Sequence, residues 1–243
     1  ITITRRNATN AIVLVQPFSN ANLTGALPSF SYIVNMTNGI VVEAGFNNDR
    51  IVIDGNLGKV VAVRGGAGMD TIQVNAPAGS VSVARTQIKT GSTTINYSES
   101  EAITIQGTGA TILSLRGSDA VGSQSITLDS AVVTGILPAS VTFSGLSSLT
   151  LETGAYGNSI LVNNTPANAT TVLFSGAGKD TVQVLKTSAN LMIYGQNGAD
   201  DVKIGRAGSA PSIAQTLTIS NYSSYTQVTI DDTAATASRS VGS

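Results

Sequence analysis

The sequence predicts an all-β fold, a right-handed parallel β-helix (solenoid) of about 20–22 residues per coil. Three observations predict it. Short segments alternate β-branched with polar residues. One glycine–aspartate corner recurs at a near-constant spacing. Apolar residues almost nowhere fall at i, i+3 and i+4 opposite a charged face, so helix signals are nearly absent. A β-sandwich with a turn every roughly 8–12 residues is the competing fold. It explains the alternation but not the return of one corner motif.

The strand segments run the length of the chain. Ile1-Thr2-Ile3-Thr4 opens it, and Ile51-Val52-Ile53, Lys59 to Val63 and Thr71-Ile72-Gln73-Val74 follow. Thr181-Val182-Gln183-Val184, Asp201-Val202-Lys203-Ile204 and Thr216-Leu217-Thr218-Ile219 have the same form later. Each is flanked by Gly, Asn or Ser, the residues that make turns. The corners stand before several of these segments. Gly65-Gly66-Ala67-Gly68-Met69-Asp70 matches Ser175-Gly176-Ala177-Gly178-Lys179-Asp180, and Gly195-Gln196-Asn197-Gly198-Ala199-Asp200 is a third copy. Weaker copies carry Asp49 and Asn158 at the key position. The steps from Asp49 to Asp70, from Asn158 to Asp180 and from Asp180 to Asp200 are nearly equal, one coil each. A second repeat, Thr94 to Ile105 against Ser140 to Leu151, is offset by roughly two coils.

One such coil cannot bury its own inner face, so coils stack and their strands pair in parallel with those before and after. Val61, Ile72, Val182, Val202 and Ile219 then form inward ladders. Gly65, Gly68, Gly176, Gly178 and Gly198 shape the corners, with Asp70, Asp180 and Asp200 beside them. Right-handedness follows from the overwhelming preference of parallel crossovers. Residues 1–243 read as a single solenoid domain, either one segment or one subunit of a longer fibre.

Composition narrows the function. Only 11% of residues are charged and the net charge is −1, which lacks the basic excess of a nucleic-acid binder. His and Cys are absent, which excludes His catalysis, thiol nucleophiles, disulfides and Cys/His zinc sites. No apolar run is long enough for a membrane-spanning helix, and Arg5-Arg6 is not followed by the apolar segment of a secretion signal. Mean hydropathy is +0.21, too high for disorder, so a folded chain with a neutral surface of hydroxyls and amides is expected.

The Gly65 to Gln73 segment fits the nonapeptide G-G-x-G-x-D-x-U-x, and Ser175 to Gln183 and Gly195 to Lys203 fit it nearly. The chain thus resembles large repetitive bacterial extracellular β-solenoid proteins with degenerate hemolysin-type (RTX-like) calcium-binding repeats. The repeats of that type follow one another nonapeptide by nonapeptide, whereas here the motif returns only once per coil. The resemblance implies a surface protein, extracellular or cell-surface, without a specific activity. It also implies calcium at Asp49, Asp70, Asp180 and Asp200, held together with turn carbonyls. The plainer reading of the same residues is that each Asp caps its own turn.

Four other chemistries are in reach of the residues. Asn7, Asn22, Asn35, Asn96, Asn163, Asn168 and Asn221 head N-x-S/T sequons and could carry glycans. Sugar cleavage needs paired carboxylates, for which Asp200-Asp201, Asp231-Asp232 and Glu99/Glu101 are available. Adjacent strand residues point to opposite faces, which separates each Asp-Asp pair. Ice binding needs a regular Thr ladder, but Thr2-Ile3-Thr4 and Thr216-Leu217-Thr218 stand alone. Polymerisation is suggested by the ends, which lack an amphipathic capping helix. The expectation is a non-enzymatic structural protein of a surface layer or fibre. It needs no cofactor and associates head to tail through open ends. A calcium-stabilised adhesin segment is the alternative, and a carbohydrate-acting β-helix comes third.

Overall fold

The structure, a computed structural model, describes residues 1–6, 10–15, 30–35, 38–206 and 212–233. It is all-β and mostly parallel, with no helix among the described residues. Pro77, Pro138 and Pro166 fall between strands, where a missing N–H costs no ladder bond. Packing divides the chain into two compact units, Ile1–Leu113 with Pro138–Leu146 and Ser114–Leu137 with Ser147–Ser243.

The first unit holds β1 (Thr2–Arg5), β2 (Asn10–Val15), β3 (Phe30–Asn35), β4 (Ile40–Phe46), β5 (Arg50–Asp54) and β6 (Val60–Ala67). It continues with β7 (Thr71–Asn75), β8 (Gly79–Ala84), β9 (Gln87–Thr90), β10 (Thr93–Ser98) and the first part of β11 (Ala102–Arg116). Two parallel columns carry the core. In one, β4, β6 and β10 stack Ile40 on Val61 on Ile95. In the other, β5, β7 and β11 stack Ile51 on Ile72 on Ile103, and β1 joins with Ile3 beside Ile53. All of these are buried, as the alternation requires. Each fully buried Ile or Val is worth about 2 kcal/mol relative to exposure.

Register matches the short period locally and breaks it elsewhere. Ile51 faces Ile72 at the spacing that separates Asp49 from Asp70, whereas Ile72 faces Ile103 across a longer step. The longer step contains the antiparallel β8–β9 hairpin, which β10 extends: Val83 pairs with Ile88, and Ile88 with Ile95. The start of the chain also departs from the parallel pattern, because β1, β2 and β3 form an antiparallel meander. The offset of the second sequence repeat would set Glu101 against Ser147. Ser140 N–H donates to Glu101 O, a shorter step than that offset.

The second unit holds β12 (Ser125–Asp129), β13 (Val132–Thr134), the later part of β14 (Ser140–Glu152), β15 (Ser159–Val162), β16 (Thr170–Phe174) and β17 (Thr181–Val184). After them come β18 (Lys186–Thr187), β19 (Leu191–Gly195), β20 (Asp200–Ile204), β21 (Ser212–Ile213), β22 (Leu217–Asn221) and β23 (Thr226–Ile230). Strands β12, β15, β17, β20 and β23 stack Ile126, Ile160, Val182, Val202 and Val228. Strands β14, β16, β19 and β22 stack Leu151, Leu173, Ile193 and Ile219. The longest step of the first column, from Ile126 to Ile160, again contains a hairpin, β12–β13. Val182 and Val202 are buried, but Val228 and Ile230 at the last rung are 46% and 44% exposed, and Ile219 is half-buried.

Candidate functional site: the acidic corners

The corners are turns between stacked strands. Gly66 and Gly176 hold φ of +97° and +94°, and each lies against the coil before it. A Cβ at either would overlap a carbonyl oxygen, Gly45 O in one unit and Gly154 O in the other. Glycine is therefore required twice over, by dihedral and by space.

The key residue of each corner is wired to the next coil. In the first unit, Asp49 N–H donates to Asp70 Oδ1 at 2.8 Å, and Asp70 N–H donates to Glu101 Oε2 at 2.7 Å. In the second, Gln124 N–H donates to Asn158 Oδ1 (3.0 Å), Asn158 N–H to Asp180 Oδ1 (2.7 Å) and Asp180 N–H to Asp200 Oδ1 (3.1 Å). The series ends at Asp200 N–H, which donates to Tyr225 O at 3.3 Å. Each side chain thus satisfies a backbone donor of the preceding coil. The expectation that each Asp caps its own turn is corrected here: the caps act between coils, because the stack brings a donor of the previous turn onto each carboxylate.

Asp70, Asp180, Asp200 and Asn158 are buried. Burial is costly to a carboxylate. Burial is the main cause that raises Asp49 above the ordinary carboxylate range, and the charge of Asp70 adds to it. Asp180 is pushed up to about 6, first by burial; the Asn158 N–H opposes the rise, Asp200 adds to it, and the Ser175 hydroxyl and the Asn158 side chain oppose it. Asp200 is raised by burial and held back by the Asp180 N–H and the Ser175 hydroxyl. The second oxygens of Asp49, Asp70 and Asp180 are buried without a hydrogen-bond partner.

The structure therefore brings Asp49 beside Asp70 and Asp180 beside Asp200, as the spacing predicts. The same residues are those at which the repeats imply calcium. Calcium takes roughly 6–8 oxygens; here one oxygen of Asp70, Asp180 and Asp200 receives a backbone N–H, and the second oxygens of Asp70 and Asp180 have no partner. Among the described residues no three His, Cys, Asp or Glu side chains converge as a metal-binding group.

Two members of the columns do not stand out in the sequence. Glu101 presents itself there only as a catalytic carboxylate, and Gln124 carries no signal at all. The step from Asp70 to Glu101 equals the register of Ile72 on Ile103, and the step from Gln124 to Asn158 that of Ile126 on Ile160. Both registers belong to hairpin-bearing coils. The proposed catalytic pairs separate. Asp200 turns into the corner, while Asp201 pairs with Lys179 at 3.5 Å. Glu101 serves Asp70 while Glu99 is exposed, and Asp231 accepts from Thr233 in a local turn. A shallow pocket of about 390 Å³ between Pro77 and Gly91 has Lys89 as its ionisable lining residue.

Of the sequon residues, Asn96 and Asn168 are exposed and Asn163 is half-buried. The Asn221 amide donates to Gly198 O at 3.1 Å and to Asp200 Oδ2 at 3.4 Å, so it is engaged in a corner. Asn7, Asn22 and the Asn35 side chain lie outside the described residues. No protein-family model matches the chain, and neither curated proteins nor solved structures give a match.

Proposed function

We propose that the chain is a non-enzymatic structural protein of an extracellular surface layer or fibre. In this reading its coils wind as a right-handed parallel β-helix and add end to end. One observation carries it: the aliphatic columns that are buried at Val182, Val184 and Val202 run on to Val228 and Ile230, which are nearly half exposed. Strand β23 is paired on one edge only among the described residues, so its free edge can accept another strand. A surface with few charges opposes such stacking little. Glycans at the exposed Asn96 and Asn168 are compatible with it.

Sedimentation velocity over a concentration series, with negative-stain imaging, tests the proposal. Concentration-dependent linear assemblies are expected, and Val228→Lys with Ile230→Lys should abolish them while leaving the circular dichroism unchanged. A chain that stays monomeric at every concentration overturns the assembly. The calcium-stabilised adhesin and the carbohydrate-acting enzyme stand behind this reading. The corner carboxylates already serve backbone N–H groups, and Asp201 is turned to Lys179 while Asp200 serves the corner.

A further inference from the structure

Asn158 and Asp180 occupy the same corner position on successive coils. Each accepts, through its first side-chain oxygen, the backbone N–H of the preceding key residue. They differ in the second atom. In Asn158 it is an NH2 donor, and it finds three acceptors: Thr153 Oγ1 at 3.2 Å, Gly154 O at 3.1 Å and Ser175 O at 3.1 Å. The register that pairs Glu152 with Phe174 and Phe174 with Tyr194 carries this set forward one coil. Thr153, Gly154 and Ser175 are succeeded by Ser175, Gly176 and Gly195. The second atom of Asp180 is Oδ2, fully buried and without a partner. Where the fold repeats a setting that holds a donor, the residue supplies a carboxylate oxygen, and the Ser175 hydroxyl beside it is directed to Tyr194 O and Asp200 Oδ2.

We propose that this corner binds a proton: Asp180 stands as a neutral carboxylic acid whose Oδ2–H replaces the amide donor of Asn158, and the corner loosens when that proton leaves. The neighbouring acid is placed for the opposite role. Asp200 Oδ2 receives the Ser175 hydroxyl and the Asn221 amide, each at 3.4 Å, and its Oδ1 receives the Asp180 N–H. Asp200 therefore carries the charge of the pair, and two stacked buried carboxylates do not both ionise readily. The other groups around the corner do not neutralise Asp180. Asn158, from the preceding coil, is uncharged. Lys179 is engaged with Asp201 at 3.5 Å, and Lys203 is exposed. The elevated pKa of Asp180, about 6, agrees with this geometry. The proposal is independent of end-to-end assembly and concerns the stability of the second unit alone.

The sign follows from linkage. A carboxyl whose folded pKa is raised stabilises the fold below its unfolded value, and that stability is lost as pH rises through the folded value. The native chain should melt higher at pH 5 than at pH 8, by about 5 °C. Asp180→Asn supplies a permanent donor, so its melting temperature at pH 8 should equal or exceed that of the native chain. Its decline with pH should be shallower, Asp49 and Asp200 supplying the remainder. Difference infrared spectroscopy of the native chain at pH 5 should show the carbonyl stretch of a neutral acid that bleaches through pH 6 and is missing in Asp180→Asn. Repeating the melts with calcium and with chelator separates a proton from a metal. Calcium raising the melting temperature of the native chain at pH 8, but not that of Asp180→Asn, overturns the proposal. So does an Asp180→Asn chain equally destabilised at pH 5 and pH 8. If the variant fails to fold, the infrared titration of the native chain decides, and absence of a neutral acid at pH 5 overturns it.

Discussion

The Asp70 corner and the Asp180 corner make one turn in two settings. Gly66 and Gly176 have nearly the same φ, and both lie on a carbonyl of the preceding coil. The settings differ on the other side. Asp70 is followed by a long, hairpin-bearing step whose acid is Glu101, and Asp180 by a short step whose acid is Asp200. In the longer step the chain passes Glu99 at φ +54°, and the Glu99 carbonyl lies against Gly65. In the second corner Ser175 stands where Gly65 does, and its hydroxyl reaches Tyr194 O and Asp200 Oδ2. The first residue of the motif is thus set by the coil that follows, while the second is set by its own backbone and the coil before.

Exchanging the first residue tests that division most strongly. In Gly65→Ser the new Cβ would overlap Glu99 O, a backbone atom held within a paired coil. The expected destabilisation is about 4 kcal/mol, measured by denaturant unfolding. A loss under about 1 kcal/mol would show that the Glu99 turn yields easily, and the contrast between the corners would disappear.

Gly66→Ala and Gly176→Ala probe the part the corners share. Both demand positive φ and both meet a carbonyl, so each should cost about 3 kcal/mol. Gly45, with φ +102° and no atom near its missing Cβ, is the control. There Ala should cost only about 1 kcal/mol, the conformational part alone. Unequal losses at Gly66 and Gly176 would mean that the two turns are not mechanically equivalent.

Much of this is legible in the residues because a parallel stack turns register into period. The spacing of Asp49 and Asp70 is the spacing of Ile51 and Ile72, and that of Asp180 and Asp200 is the spacing of Val182 and Val202. The buried ladder positions Val61, Ile72, Val182 and Val202 follow from alternation alone. What alternation does not encode is where a strand finds its partner. The β8–β9 hairpin obeys the same period-two rule as its parallel neighbours, so nothing in Ser80 to Lys89 marks it as an insertion. Glu101 and Gln124 are hidden for that reason: their places in the columns appear only once the hairpins are subtracted. The antiparallel turn of β1 against β2 has the same cause. Asn158 shows the other limit. Its spacing puts it in the corner series, but its role as a donor among carbonyls appears only in the folded corner.

Asn158→Asp sharpens the contrast between donor and acceptor. The substitution keeps the oxygen that accepts from Gln124 N–H and removes the donor to Thr153, Gly154 and Ser175. It also stacks a third acid on Asp180 and Asp200. A loss of about 2–3 kcal/mol at pH 8 is expected, recovered in large part at pH 5, where the new carboxyl regains a proton. Equal losses at both pH values would mean that the donors at this corner matter less than its shape.

Ser175→Gly converts the second corner into the first and should have the smallest effect. Its two hydroxyl hydrogen bonds are long, 3.4 Å each, and their acceptors keep other donors: Tyr194 O receives Ser175 N–H, and Asp200 Oδ2 keeps the Asn221 amide. The cost should therefore be about 1 kcal/mol, most of it the backbone entropy of glycine. The electrostatic effect is more informative than the stability. The Ser175 hydroxyl opposes the rise at both Asp180 and Asp200, so both acids should ionise less readily without it. The fall in melting temperature with pH should extend to a higher pH in Ser175→Gly than in the native chain. If it ends at the same pH, the serine at this position only fills space that the Asp70 corner gives to the Glu99 carbonyl.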